Sequence, residues 1–376
     1  MVRESGGNGD RDRPVRWRAS LVLLSLGPLS YGLLLVAGHW PEHTERFFAR
    51  GLHPLLVRVV SAPWRFLPFS AAEALLLSMA AALAWRTTRA LLGWRAGRRT
   101  PRNLAGHALA QVLGALGLSL AAFELLFGLN HARLPFAVTA GLTVRPTDAA
   151  RISEMAGLLA LQAAAERALI PADVEYPFRL SEKGDADARL VAAWARATQR
   201  YPALAGAPPL VRISNFSPLL SAAGLTGVYS PFTGEAHVNH QTPAPTLPFA
   251  ACHEVAHLRG FAREDEANFI AFLVCRYADD PAWRYSGTLT ALIHVLNALA
   301  RAAPERWLEI REELPQGLRA DIDRVHDFWR RRRSALTTLV EHTNHRYLRS
   351  QGQAAGLASY GRVVDLLAAY LPSTSR

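Results

Sequence analysis

The sequence predicts a mainly α-helical membrane protein, in which three N-terminal transmembrane helices precede an α+β extracytoplasmic domain with a small β-hairpin. Three observations carry that reading. Nearly charge-free stretches of bilayer length recur early in the 376-residue chain, the arginines crowd into particular joining segments, and the remainder shows helical periodicity broken by one short strand-like region.

Ala19 to Gly38 contains no charged residue and is long enough to span about 30 Å of hydrocarbon as a helix. A cleaved signal peptide is the alternative. The stretch exceeds the usual apolar region of such peptides, and no small-x-small site closes it before His39-Trp40, so an uncleaved span is favoured. Phe66 to Trp85, interrupted by Glu73, forms the second predicted span, and Ala108 to Phe127, carrying Glu124, the third. Each carboxylate lies within about two turns of a span end, where it can reach the interface. Trp17, Trp40, Trp64, Trp85 and Trp94 flank the spans as interfacial anchors do.

Orientation follows from arginine. Arg86, Arg89, Arg95, Arg98, Arg99 and Arg102 join the second and third spans with no acid among them, which marks that segment and the Arg11 to Arg18 region as cytoplasmic. Residues 1–18 are then a cytoplasmic N-terminus, 19–129 a three-span anchor, and 130–376 an extracytoplasmic domain of a plasma or inner membrane protein. Topology thus accounts for much of the net charge of +11, and no nucleic-acid partner is implied. Between the first two spans, Phe47, Phe48, Leu52, Leu55, Leu56 and Val59 mingle with Arg46, Arg50 and Arg58, a pattern of either an interfacial helix on the bilayer or a plain loop.

In the outer domain, Leu134 to Arg145 reads as a connector, Asp148 to Ala168 and Arg189 to Arg200 as helices, and Leu210 to Ile213 as a strand. Gly224 to Asn239 reads as a hairpin around Pro231-Phe232-Thr233-Gly234, placed where it could pair with an extended peptide or simply cover the core. His237 and His240 face opposite sides of such a strand and make no metal pair. Ser286 to Ala303 is a core helix containing His294, and Arg319 to Leu348 one long charged helix.

The chain is organised around Cys252-His253-Glu254-Val255-Ala256-His257. On a helix, a spacing of four puts His253 and His257 one turn apart on one face, where both imidazoles can reach a single Zn²⁺. Glu254 does not ligate but can take the proton of the water that the metal activates. Small and apolar flanks indicate a buried helix rather than a surface one with two incidental histidines. Pro248 and Gly260 suit its first turn and its end. A catalytic zinc needs a third protein ligand. Glu264, Asn268, Ala271 and Cys275 recur along one face of the next helix, so Glu264 is the expected ligand and Asn268 a hydrogen-bonding partner of the ligands. Glu266 is the competing carboxylate. Position 263 holds Arg where the metzincin arrangement has histidine, which leaves the gluzincin type and makes the outer domain zincin-like.

The run from His253 to Asn268, with Gly260-Phe261 and Glu264-Asp265-Glu266-Ala267-Asn268-Phe269, resembles the core of an uncharacterised bacterial membrane-protein family catalogued as domain of unknown function 3810. The resemblance extends through Tyr229 to Glu235, Arg284 to Gly287 and Ser359 to Asp365. More distantly, membrane-bound prenyl-protein proteases and antirepressor-cleaving proteases carry a comparable Glu-x-x-x-Asp or Glu-x-x-x-Asn, whose first Glu ligates zinc and matches Glu264. The resemblance implies a zinc peptidase and names no substrate.

The expected chemistry is zinc-dependent hydrolysis of a peptide or protein substrate, with His253, His257 and Glu264 on the metal and Glu254 as general base. Tyr285 is a candidate oxyanion donor, although a tyrosine capping the core explains it as well. A non-catalytic zinc-stabilised sensor or scaffold, and a zinc amidase acting on a cell-wall linkage, are the alternatives. Cys252 and Cys275, the only cysteines, are expected either to bridge the two ligand-bearing helices or to be small buried thiols. Oligomeric state stays open.

Overall fold

The structure, a computed structural model, describes residues 17–96, 100–170, 185–350 and 362–373. Arg11, Arg13, Arg16, Arg98, Arg99 and the Ser359-Tyr360-Gly361 part of the family-like motif lie outside the described residues.

The membrane-side part opens with α1 (Trp17–Ala37), whose Gly27 rests against Gly117 and Leu120 of a later helix. Missing side chains at such a crossing let two backbones approach closely, which is how helices pack in lipid. After a turn, α2 (Pro41–His43), a π-helical stretch (Thr44–Leu52) and α3 (His53–Ser61) form one unbroken helical run. Next come α4 (Ala71–Arg95) and α5 (Pro101–Leu126). Trp17–Ala37, Ala71–Arg95 and Leu104–Leu126 are long and apolar enough to cross a membrane; this is a membrane protein with three apolar helices at its N-terminal end. The second begins later than Phe66 because Pro68 disfavours the helical conformation at Leu67, and Ser70 caps the helix by accepting the Glu73 N–H at 3.1 Å.

The remaining chain folds as α6 (Phe136–Thr139), α7 (Ala149–Ala168), α8 (Asp185–Arg200), β1 (Val211–Ile213), α9 (Ser217–Ala223), β2 (Gly227–Ser230), β3 (Glu235–Val238), α10 (Leu247–Leu258), α11 (Glu264–Arg276), α12 (Pro281–Ala302), α13 (Pro304–Glu313), α14 (Gln316–Arg332), α15 (Ala335–Ser350) and α16 (Arg362–Tyr370). The sheet order is β1-β3-β2. β1 runs parallel to β3 with Val211 opposite Ala236, and β2 runs antiparallel with Gly227 opposite Val238. Within the sheet β2 is therefore an edge.

One buried cluster draws on α7, α10, α11, α12 and α16, and it also takes in Val57 of α3 and Phe127 just beyond α5. From Ala267 to Cys275, α11 is buried at every residue, so it forms the axis of the core. The sheet sits directly on the start of α4. Glu235 of β3 accepts the Ala71 and Ala72 N–H groups at 3.1 and 2.8 Å, and Glu73 accepts from Ser214 Oγ and the Asn215 N–H, both at 2.8 Å. The first of these places a carboxylate at a helix N-terminus, where orphan donors and the helix dipole favour it.

Two helices differ from expectation. The core helix starts at Pro281 rather than Ser286, because Asp280 caps it through the Ala282 N–H at 2.8 Å with proline in its first turn. The long charged helix is two, broken at Arg333. There Ser334 and Thr337 exchange side-chain to backbone hydrogen bonds at 3.3 and 3.2 Å, a reciprocal cap that starts a new helix.

Candidate metal centre

All residues of α10 are buried, and its end is set by glycine. Gly260 has φ +82°, a left-handed conformation that side chains resist. It closes the helix with Gly260 N–H to His257 O at 2.9 Å and Phe261 N–H to Ala256 O at 3.0 Å, a Schellman turn. That turn aims the Phe261 carbonyl back at the helix, where it accepts a hydrogen bond from His257 Nδ1 at 2.8 Å. The proton is thereby held on Nδ1, and Nε2 keeps its lone pair for a metal.

The two ligand helices meet at this point. His253 Nε2 lies 3.0 Å from His257 Nε2, Glu264 Oε2 lies 3.4 Å from His253 Nε2, and Glu264 Oε1 lies 3.6 Å from His257 Nε2. Ligand atoms of these residues lie within 4.8 Å of one another. A tetrahedral zinc about 2.0–2.1 Å from each ligand would hold them roughly 3.3 Å apart, so donor set and spacing both fit. Glu266 is turned away, accepting the Phe136 N–H at 3.0 Å and pairing with Arg263 at 3.0 Å.

Electrostatics follow from this packing. Burial alone would raise the Glu264 carboxyl, but its hydrogen bond to His253 and the charges of His257, His253 and His131 hold it at about 2. Burial pushes His257 down to about 4. His253 is raised: Glu264 and Glu254 outweigh its burial, and the Asn268 side chain adds to them. Asn268 is itself buried, on the face that sequence periodicity assigned to it. For Glu254, burial dominates and lifts the carboxyl to about 8, with Glu264 adding to it and His253 opposing.

Glu254 has a constraint not anticipated from the motif. A Cβ on Gly227 would stand 2.6 Å from Glu254 Oε1 and 2.5 Å from the His237 carbonyl. The carboxylate occupies the place of a side chain on the edge strand β2, and only glycine admits it. Glycine at the start of a short strand was the available signal.

Tyr285 is a correction. Its hydroxyl donates to Asp321 Oδ2 at 2.7 Å, deep in the core, so that proton is committed to a structural carboxylate and not to a developing oxyanion. His237 bonds to Ser70 at 2.7 Å and belongs to the sheet's seat on α4. Cys252 and Cys275 are unbridged and buried, with their sulfurs 3.8 Å apart. Two histidines gain relevance. His294 is lowered to about 4, by burial first and then by His253. His131 is lowered to about 3, by burial first and then by Arg263 and His257.

A clamp joins the site to the membrane side. Arg133 makes two 2.8 Å bonds to Glu45 of the π-helical stretch, donates to Gly260 O at 3.0 Å, and lies 4.0 Å over the Phe261 ring. The turn that orients His257 is thus held by a buried ion pair reaching residues before α4.

A family model described as a protein of unknown function (DUF3810) matches residues 48–368. The chain belongs to the DUF3810 family. No curated protein and no solved structure matches it. The DUF3810 match begins at Phe48 in the π-helical stretch and ends at Ala368 in α16, and so contains α3, α4, α5 and the whole His253-His257-Glu264 cluster.

Proposed function

We propose that this DUF3810 protein is a membrane-anchored zinc metallopeptidase whose catalytic domain, α6 to α16 with the sheet, lies outside the cytoplasm. The observation that carries the reading is the convergence of His253, His257 and Glu264 from two successive helices, with Glu254 beside them. Bound there, zinc would polarise a scissile carbonyl and acidify a water molecule.

The chain's own groups supply the rest. His257 presents Nε2 with its proton held on Nδ1 by the Phe261 carbonyl, and His253 offers Nε2 beside it. With the charge of a bound zinc opposing the burial that lifts its carboxyl to about 8, Glu254, wedged against Gly227, would accept a proton from the attacking water and return it to the departing amine. β2 offers a sheet edge next to that carboxylate, suited to an extended peptide. The arginine-rich α4–α5 junction supports the orientation.

A non-catalytic, zinc-stabilised scaffold has one observation in its favour, since His253 and His257 are each only 8% exposed and Glu254 3%. Against it stands the ligand count. Structural zinc sites close with four protein ligands, and the cluster among the described residues has three. The test compares peptides released from membranes of cells making the intact chain or Glu254→Gln. A set of peptides lost with the substitution is expected; identical release would leave the scaffold reading.

A further inference from the structure

We infer that the site acts on polypeptide presented at the bilayer surface, the stretch flanking a transmembrane helix of another membrane protein, rather than on freely diffusing peptides. This rests on the peptidase reading above and adds the substrate class.

The site sits at the level of a helix end. Phe127 continues α5 by donating its N–H to Phe123 O at 2.8 Å, and its ring meets the His257 ring edge-on at 6.0 Å. A metal-ligating imidazole therefore touches the first residue past a membrane-crossing helix. The same Phe127 ring packs on Tyr229 of the edge strand at 5.5 Å. Any chain lying along β2 would run at this level.

The site is also held rigidly at that level. The sheet holds the start of α4 through Glu235, while Glu73 of α4 holds Ser214 and Asn215. The β2–β3 turn sits on α3, where a Cβ on Gly234 would come 3.0 Å from Ser61 Cβ. Two spans and the juxtamembrane run thus set the distance from site to bilayer, and no linker lets the site reach far into solution.

The run from Pro41 to Ser61 also presents an apolar outer face. Its domain-facing side buries Ala49 and Val57 together with Thr44, Glu45, His53 and Ser61, whereas its outer side carries Phe47, Leu52, Leu55 and Val59, 63, 47, 55 and 63% exposed, among the exposed Arg46, Arg50 and Arg58, and is followed by Phe66 at 90% and Phe69 at 51%. Large exposed apolar side chains interspersed with arginines make the pattern of a helical surface lying at the bilayer interface, apolar groups in the acyl boundary and cations at the headgroups. The run joins α1 to α4, both apolar enough to cross a membrane, so the bilayer is the occupant that chain continuity provides. The site is consequently flanked by a surface at headgroup level.

A substrate emerging from the bilayer gains about 3.3–3.6 Å of reach per extended residue, so a few residues beyond its span bring a scissile bond to this level. Confinement to the same surface also raises its effective concentration over that of a soluble peptide. In the reaction a water oxygen bonds to the scissile carbonyl carbon, the carbon–nitrogen bond breaks, and the water proton passes through Glu254 to the leaving amine.

The experiment maps new protein termini in cells making the intact full-length chain or Glu254→Gln. Termini that depend on Glu254 are expected within about ten residues of the end of a transmembrane helix, a reach set by extended chain length. Clustering in soluble proteins, or more than about thirty residues from any span, overturns the substrate class and leaves the peptidase standing. Absence of any Glu254-dependent terminus removes both. A mapped substrate is then offered to the full-length enzyme in phospholipid vesicles, once with its own span and once as the free peptide. The spanning form is expected to show kcat/KM at least about tenfold higher, and equal values overturn the proposal.

Discussion

Glu254 Oε1 and the missing side chain of Gly227 compete for one volume. Gly227→Ala should accordingly displace the carboxylate and lower hydrolysis by about 10²-fold or more, within the range general-base catalysis contributes, while zinc content stays near that of the parent. Parallel metal analysis and peptide-release assays check this, and loss of zinc would show that the strand supports the ligands instead. The two neighbouring glutamates should separate cleanly. Glu264→Ala is expected to lose zinc, whereas Glu266→Ala should keep it and lose stability, because the Phe136 N–H and Arg263 lose their acceptor. Zinc titration and thermal melts of both variants decide. At this scale the sequence was informative wherever spacing implies geometry: four residues on a helix align His253 with His257, and one face of the next helix selects Glu264. It could not choose between the two readings of Tyr285, whose partner Asp321 lies 36 residues away, and was silent about Gly227, whose importance arises only when β2 meets α10.

Among the elements, the link from the π-helical stretch to the Schellman turn has the clearest consequence. Glu45→Ala would leave the Arg133 guanidinium buried with only the Gly260 carbonyl, a change expected to cost about 3–5 kcal/mol. Because the same turn orients His257, zinc affinity should also fall by about 10–100-fold, as when a ligand's hydrogen-bond partner is disturbed. Chelator competition on the full chain measures it, and unchanged affinity would mean the turn holds without the clamp. Cys252 and Cys275 should label only after unfolding, since burial raises the Cys252 thiol well above its ordinary range and both sulfurs are enclosed. Mass spectrometry without reductant checks this, and a bridged pair would contradict it. Helices with strong period and caps, such as α7 behind Asp148, were legible in the sequence. The break at Arg333 was not, because four adjacent arginines mask the Ser334 and Thr337 cap beside them.

For the molecule as a whole, the three helices apolar enough to cross a membrane were legible from hydrophobicity, but not the way the sheet and α10 seat on their ends, which depends on Glu73 and Glu235 finding partners far along the chain. His53 lies in that seat. Burial, with Arg133 adding to it, lowers its pKa to about 3, against about 6.5 when unfolded. The unfolded chain therefore takes up this proton first, so the stability His53 contributes is complete above pH 6.5 and declines as pH falls toward 3. His53→Leu should flatten the stability profile in that window by about 1.4 kcal/mol per pH unit, read from melts of the detergent-solubilised chain; an unchanged slope would show that His53 is not held neutral. The central claim, that α10 and α11 together form a zinc site, is tested most directly by metal analysis of the purified full-length protein. One zinc per chain is expected, retained in Glu254→Gln and lost in His257→Ala and Glu264→Ala. Well-folded protein that takes up no zinc, or keeps it after both ligand substitutions, would contradict the assignment.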